Sequence, residues 1–550
     1  MKTVFHNLFT ILLLTFCFVS FSGQAKNYYS DPVAGNINNE GSVNKPLPGL
    51  SSIFAANKTF VAGDTLFLRN GDHGFTLIKG VNTGFVVITP DAGHQPVLSR
   101  LAFSAFSGPL TSFWKLEKLI IQSESNGIDP KGEYHLVEFF PNSSNITLSS
   151  CIIRSAANTT GWTRDDWRKR CNRGILTRDR ANANYIIEDN IINNTTFAIT
   201  ISSSNTVVRR NTIQYFTNDG SRLTGSDILF EKNKVLDLIK VMLVSENHDD
   251  LFQAFTAVPG VGPACKNDTI RGNLFVNTTD TNRPFVGVTQ GIGCFNGPFE
   301  NWIVENNIVM TDHYHGISFY DATNCKIVNN TVMDPYLVTP VDPFENNSSS
   351  TGPAWIYLDG ASTNNIVKNN LANTMNFASG VNTTAASNYS IGSISSYANY
   401  FVNVSNIAVP GSFDLHLKPG SLPINRGDNV DAPLVDFDGV ARPQGAKVDC
   451  GAYEFVQSTA IPELKNAENG LKTYPNPFQN ELNIDINAAF PQNYRVDILN
   501  LSGQIVFTES KNADTKLILN NISALLNGVY ILKLTDESGN FSQNRICKVN

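Results

Sequence analysis

The sequence predicts an all-β chain, most of it a solenoid of stacked parallel coils followed by a small β-sandwich. Three observations carry this. Segments 185–190, 206–211 and 227–233 each alternate apolar and polar residues and end on Asn190, Asn211 and Asn233, a return every 21 to 22 residues. The same ending recurs at Asn273, Asn307, Asn330 and Asn370, at intervals of one coil or one coil plus a loop. The composition is rich in Asn, Ser, Thr, Gly and β-branched residues and poor in helical runs.

Asn marks the repeat for a physical reason. Parallel strands place equivalent side chains about 4.8 Å apart, so an Asn at one corner passes amide hydrogen bonds up the stack as a ladder. Asn also tolerates the left-handed backbone of a tight corner.

The 550 residues are 41% hydrophobic and 16% charged, enough for more than one domain with a substantial core. The net charge of -7 argues against a nucleic-acid partner. Met1 and Lys2 precede an apolar run, Leu8 to Phe21, and the small residues Ser22, Gly23 and Ala25, so residues 1–25 read as a secretory signal peptide. No later segment has the length and apolarity of a transmembrane helix. In the oxidising compartment this implies, Cys151 with Cys171 and Cys265 with Cys294 are candidate disulfides among several connectivities.

Residues 26–455 form the predicted solenoid. A short helix over Ser51 to Asn57 is expected to cover the open end of the first coil. Each later coil aligns on a first strand and an Asn-terminated second strand. The first strands are placed at 135–140, 174–178, 198–202, 220–224, 251–255, 285–289, 316–320 and 355–359. Insertions at 154–173, 236–247 and 333–353 are of the size that rims a binding face.

The opening segment, with Asn27-Tyr-Tyr-Ser30, the stretch 62–69 and the strand 84–89, resembles secreted right-handed parallel β-helix proteins of the pectate lyase and chondroitinase B-like group. The resemblance implies that fold for residues 26–455. Residues 435–455 resemble the closing segment of many secreted bacterial β-helix proteins. A linker over 456–470 leads to residues 471–550. There Tyr474-Pro-Asn-Pro-Phe478, the strand 482–486 and the stretches 494–503 and 527–534 resemble the C-terminal sorting domain of the type IX secretion system of Bacteroidetes. That resemblance implies a partner, the secretion machinery, and delivery through the outer membrane to the surface or the medium.

The strand alignment also places the candidate chemistry. Asp219 and Asp250 precede first strands on neighbouring coils, about 5 Å apart along one edge, where each carboxylate raises the pKa of the other. Beside them the outward positions offer Arg222, Gln253, Ser318, Arg178, Phe255 and Tyr320, a hydrogen-bonding and aromatic surface suited to a sugar chain. Arg173, Arg178, Gln253, His315, Tyr320 and Tyr357 are the expected substrate-binding residues. The Asp-Gly at 219–220 and the His-x-Asp pattern of 248–253 resemble signatures of secreted β-helix proteins and, more loosely, the paired-Asp motifs of polygalacturonase-like hydrolases. His315-Gly316 is similar to the His-Gly segment of that family, but lies two coils from Asp250.

Two reactions fit these residues. In a lyase acting on a uronic-acid polymer, Asp219, Asp249 and Asp250 would hold Ca2+ through oxygen ligands, and Arg222, His248 or Lys240 would take the C5 proton. In a hydrolase one Asp would be the acid and the other the nucleophile. The lyase is favoured by the basic insertion 163–173, which carries Trp162 and Trp167 and is suited to a sugar acid or sulfate, and by the opening-segment resemblance. A non-catalytic glycan-binding surface protein is the alternative of another class.

Overall fold

The computed structural model describes residues 24–123, 134–241, 248–256, 263–280, 282–335, 352–377, 380–404, 413–456, 472–485, 492–500, 504–513, 515–536 and 541–549. The expected signal peptide, the linker and much of two insertions lie outside the described residues. The chain divides into two compact units, Met1–Val456 and Gln457–Asn550.

The first unit is a parallel β-helix. Its coils contribute to three long sheets: one of 13 strands from Asn27–Ser30 to Thr384–Ala386, one of 12 from Gly71–Asp72 to Tyr389–Ser390, and one of 11 from Phe75–Ile78 to Thr374–Asn376. Each coil therefore has three strands where the sequence reading placed two. The unassigned strand is the short one that follows the Asn, such as Ile191–Thr195 after Asn190. Inside the coils, Ile, Leu, Val and Phe side chains stack in one continuous core from Leu47 to Ala372. The helix Leu50–Ala55 buries Leu50, Ile53 and Phe54 at the end of that core, where the sequence placed a cap.

The Asn column exists and is longer than predicted. From Asn190 the side-chain oxygen of each successive member accepts both the backbone N–H and the Nδ2 of the one before, through Asn211, Asn233, Asn273, Asn307, Asn330 and Asn370 to Asn388, at 2.8–3.1 Å. The left-handed residue is not the Asn itself. It is the residue before it, as in Asp189 (φ 58°), Arg210 (φ 55°) and Lys232 (φ 54°). Within a strand alignment the two assignments look alike; the hydrogen bonds separate them.

One first strand was misplaced. Residues 285–289 are not a strand, because Phe285 takes a left-handed φ of 53°. The sheet is continued by Gln290–Asn296, which pairs in parallel with Asp250–Phe255.

The expected disulfides do not form: the six described cysteines of this unit are buried and not bridged to one another. Cys151 packs in the main core, whereas Cys171 packs with Trp162, Trp167 and Ile239 in a separate cluster.

The second unit is a small antiparallel sandwich. Three strands, Lys472–Tyr474, Leu482–Asp485 and Lys516–Leu519, form one sheet, and Gln492–Leu499, Ile505–Ala513, Gly528–Thr535 and Phe541–Lys548 form the other. Phe478, Leu482, Val496, Ile498, Leu532 and Ile546 fill the space between them. Among the described residues no helix is long and apolar enough to cross a membrane.

Candidate active site

The 11-stranded sheet positions the candidate site. Its strands begin at a corner so tight that a Cβ on Gly220 would lie 2.3 Å from Val235 Cγ1, and one on Gly316 would lie 2.3 Å from Val332 Cγ1. Glycine at these corners lets the chain enter the strand against the core. The preceding residue then stands on the outer edge, and those residues align from coil to coil.

Strand register fixes the row. Ile175 pairs with Ile199 and Ile199 with Ser221, which aligns Arg173, Phe197 and Asp219. Arg222 pairs with Gln253, which places Asp219 beside Asp250, and Gly220 donates its N–H to the Asp250 carbonyl at 2.9 Å. Asp250 pairs with Gln290, Ile292 with Ile317, and His315 with Trp355. The row thus reads Arg173, Phe197, Asp219, Asp250, Gln290, His315, Trp355. His315 lies two coils from Asp250, as the sequence implied, whereas Gln290 and Trp355 take the places that the strand alignment at 285–289 and 355–359 gave to the preceding residues, Pro284 and Ala354.

Both aspartates of the central pair are fully buried. Their surroundings differ. Asp219 is ion-paired with Arg222 Nε and accepts the Asp250 backbone N–H at 3.1 Å, two interactions that favour its ionised form. Arg222 lies over the Phe197 ring at 3.7 Å, so the cation is held in place from its other face. Neither carboxyl oxygen of Asp250 has a hydrogen-bond partner. Burial, then the charges of Asp219 and Asp249, push the Asp250 carboxyl well above the usual carboxylate range, against the lowering pull of Arg222. A Cβ on Gly293 would lie 2.7 Å from Asp250 Oδ1 and 2.4 Å from Phe295 Cε2, so the acid and the ring edge of Phe295 meet above a residue with no side chain.

Asp249 faces a different partner. It accepts from Lys240 Nζ at 2.5 Å, in an ion pair whose two side chains are 0% and 2% exposed. Lys240 is therefore not placed as a free base for a C5 proton. His248 is exposed and close to the buried pair His313 and His315. Burial first, and then His248, holds His315 at about 4. Burial, His315, His248 and Lys240 hold His313 at about 3. Both imidazoles are neutral near pH 7. Trp355 Nε1 donates to His315 Nδ1 at 3.2 Å and to Ser318 Oγ at 3.1 Å, and Ser318 Oγ is 2.7 Å from the same Nδ1. Nδ1 is thus the acceptor and the ring proton sits on Nε2.

The residues do not fit the expected Ca2+ cage. A calcium ion needs several oxygen ligands converging on one point. Here Asp219 is turned to Arg222 and Asp249 to Lys240, while the carboxyl oxygens of Asp250 meet no described partner. Among the described residues no group of three or more His, Cys, Asp and Glu is arranged to hold a metal ion.

The predicted binding residues divide by position. Gln253, Tyr320 and Tyr357 are half-buried on the outer face near the acid pair. Tyr320 packs edge-on against Phe295 and Tyr357, and Tyr357 stacks on Trp355 at 5.3 Å. Arg173 and Arg178 lie on the same sheet, on the strand Arg173–Thr177 and immediately after it. The basic insertion does not present its tryptophans to a ligand. It folds as the helix Arg164–Arg170, capped by Thr163 and Asp166, with Trp162 and Trp167 packed edge-to-face beneath it.

Residues 137–332 match the family model of the right handed beta helix region. The fold of the first unit is thus a right-handed parallel β-helix. Residues 472–548 match the secretion system C-terminal sorting domain, and this tail directs the β-helix protein through type IX secretion to the cell surface or extracellular space. No curated protein matches the chain. Among solved structures it is similar to pectate lyase Pel9A (15% identity, 78% of this chain and 96% of that one, TM-score 0.40). It is also similar to the GH136 lacto-N-biosidase from Eubacterium ramulus (13%, 67% and 68%, 0.37) and to the A-module of the mannuronan C-5 epimerase AlgE4 from Azotobacter vinelandii (10%, 63% and 93%, 0.36).

Proposed function

We propose that this exported β-helix protein degrades a polysaccharide by hydrolysis, with Asp250 as the acid and Asp219 as the nucleophile. The observation that carries the reading is the contrast within the pair: adjacent carboxyls, one ion-paired with Arg222 and one with no partner and a raised pKa. Environments that push two carboxyls apart in protonation assign the acid and the base.

The chemistry follows from that division. Asp250 donates its proton to the glycosidic oxygen as the bond to the anomeric carbon breaks, and Asp219 attacks that carbon to form a glycosyl ester. Water then opens the ester, with the Asp250 carboxylate taking its proton. Neighbouring parallel strands set the two residues about 4.8 Å apart at the backbone, which suits the short carboxyl separation of retaining enzymes, about 5–5.5 Å. Because Asp250 is buried beside the Phe295 ring over Gly293, contact with a sugar requires that ring to move.

Hydrolysis is preferred to β-elimination because two of the three candidate bases are ion-paired, Arg222 with Asp219 and Lys240 with Asp249, with exposed His248 the third, and because the three carboxylates do not converge on a cation. The test is incubation of the secreted chain with a panel of uronate-containing and neutral polysaccharides, with calcium or with chelator. New reducing ends without the ultraviolet absorbance of unsaturated uronates, abolished in Asp250→Asn, support the reading. Absorbance with the reducing ends overturns it in favour of elimination, and binding without products leaves a glycan-binding protein.

A further inference from the structure

Gln290 follows Asp250 in the row of outer-edge residues, one coil on, and the two are in direct register. Parallel strands set their backbones about 4.8 Å apart and turn their side chains to the same face. Gln290 is 7% exposed, and its Oε1 is buried with no hydrogen-bond partner. Both carboxyl oxygens of Asp250 are in the same condition. Elsewhere in the solenoid comparable groups are answered. Glu138, with its side chain 3% exposed, accepts from Arg100 Nη2 at 2.8 Å and from Arg178 Nε at 2.7 Å. Gln122 accepts from Arg154 Nε at 2.7 Å, and Gln214 Nε2 donates to Asp237 at 2.7 Å. A buried amide oxygen without a partner costs stability, because it has given up its hydrogen bonds to water. Such a cost is recovered when a ligand supplies the missing group.

The surroundings select that group. A carboxamide carries an acceptor and two donors, and a sugar hydroxyl is both donor and acceptor, so the two match whichever way the amide is turned. Beyond Gln290 in the row comes His315, which is neutral near pH 7. On the other side Asp219 is bound to Arg222 and Asp249 to Lys240. The charges that act on Asp250 are those of two carboxylates, Asp219 and Asp249, against the one guanidinium of Arg222. A carboxylate on the sugar would add a further negative charge at a buried edge, where repulsion is least screened. A hydroxyl adds none. The same coil leaves space for it: Gly293, three residues after Gln290, has no side chain, and the Phe295 ring and Asp250 Oδ1 lie over it. Gln253, half-buried and in register with Gly293, brings a second carboxamide to the edge of that space.

We infer that Gln290 is a specificity-determining residue, binding a hydroxyl of the sugar unit whose glycosidic oxygen takes the proton of Asp250, and that this unit is a neutral sugar and not a uronate. The inference rests on the reading of Asp250 as the acid, and it adds the charge of the unit at the cleaved bond and the group that recognises it. A site built to hydrogen-bond a hydroxyl rejects an analogue that leaves its buried partner unpaired.

The test uses the full secreted chain carrying Asp250→Asn, so that polymer is bound and not consumed, in affinity electrophoresis. Gels contain a galactomannan, a galactan or a glucan, each neutral or after oxidation of its C6 hydroxyls to carboxylates. At least one neutral polymer should retain the chain at least tenfold more strongly than its oxidised form does. Adding Gln290→Met should weaken that retention about tenfold while the thermal midpoint stays level or rises, since methionine fills similar space and has no amide to leave unpaired. Gln290→Asn, which keeps the amide on a shorter stem, should hold part of the retention. Equal or stronger retention by an oxidised polymer, no retention by any neutral one, unchanged retention in Gln290→Met, or a loss accompanied by a lower thermal midpoint would overturn the inference. Failure of the cleavage reading is distinct: it appears as absence of product from the unsubstituted chain, whatever the gels show.

Discussion

The backbone N–H of Asp250 donates to the carboxylate of Asp219 across adjacent coils at 3.1 Å. The residue whose carboxyl is pushed above the usual range thus also donates to its neighbour's carboxylate through its backbone. Replacing Asp250 by Asn keeps that backbone bond and removes only the acid, and the rate on an unactivated glycoside should fall by about a thousandfold or more. Steady-state kinetics on the purified chain check this.

The same substitution has a signature in stability. Burial raises the folded-state pKa of Asp250 above its unfolded value, so its contribution is fully present below the unfolded carboxylate range, near ~3.9, and is lost as pH rises toward the folded pKa. Asp250→Asn should therefore gain stability relative to the unsubstituted chain as pH increases from 4 to 8. Asp268, also raised by burial and with its Oδ2 lacking a partner, should behave alike in Asp268→Asn. Thermal melts across that range are the measurement; a difference independent of pH would contradict the assignment.

Lys240 and Asp249 make a fully buried ion pair, and removing one partner takes the opposite charge away from the other. Lys240→Met should lower stability by about 3–5 kcal/mol, and adding Asp249→Asn should recover much of the loss. Denaturant unfolding of the two single variants and the double gives the coupling directly.

Asn233 accepts two hydrogen bonds from Asn211 and donates to the carbonyl of Val208 and to Asn273. Asn233→Ala leaves buried donors on Asn211 unanswered and should cost about 3 kcal/mol. Exposed Asn267, by contrast, is joined to Asp227 and Asn301 at the surface, and Asn267→Ala should cost only about 1 kcal/mol, the strain of alanine at its left-handed φ of 60°. Comparing the two melts separates the column from the surface.

The sorting tail gives a cellular prediction. Cells expressing the chain without residues 457–550 should retain it inside the outer membrane, whereas the complete chain appears at the surface or in the medium. Fractionation followed by immunoblotting reads the outcome.

What the sequence made legible follows the physics of repetition. The Asn column is visible because each amide must sit where the next can reach it, so the spacing survives in the sequence. The central aspartates were found by the same alignment. The strand Gln290–Asn296 was missed because its glycines, including the bare corner at Gly291 and the space above Gly293, weaken the β pattern, while Phe285-Val-Gly-Val-Thr imitates it. Glu138 and Arg100 escaped notice because their ion pairs join residues on different coils, 38 positions apart. The different surroundings of Asp219 and Asp250 were not readable either. It depends on Arg222 reaching back three positions and on a ring from the following coil.

The column has one last consequence, for how such a chain changes over generations. Successive amides are 21, 22, 40, 34, 23, 40 and 18 residues apart, yet each coil contributes one. Length is thus free to vary between amides but not the count per turn. Segments can be gained or lost at the corners without disturbing the stack, whereas a fractional turn would throw every later strand out of step. Descendants of this chain can exchange the loops around the acid pair, and with them the sugar they meet, on a scaffold that tolerates only whole turns.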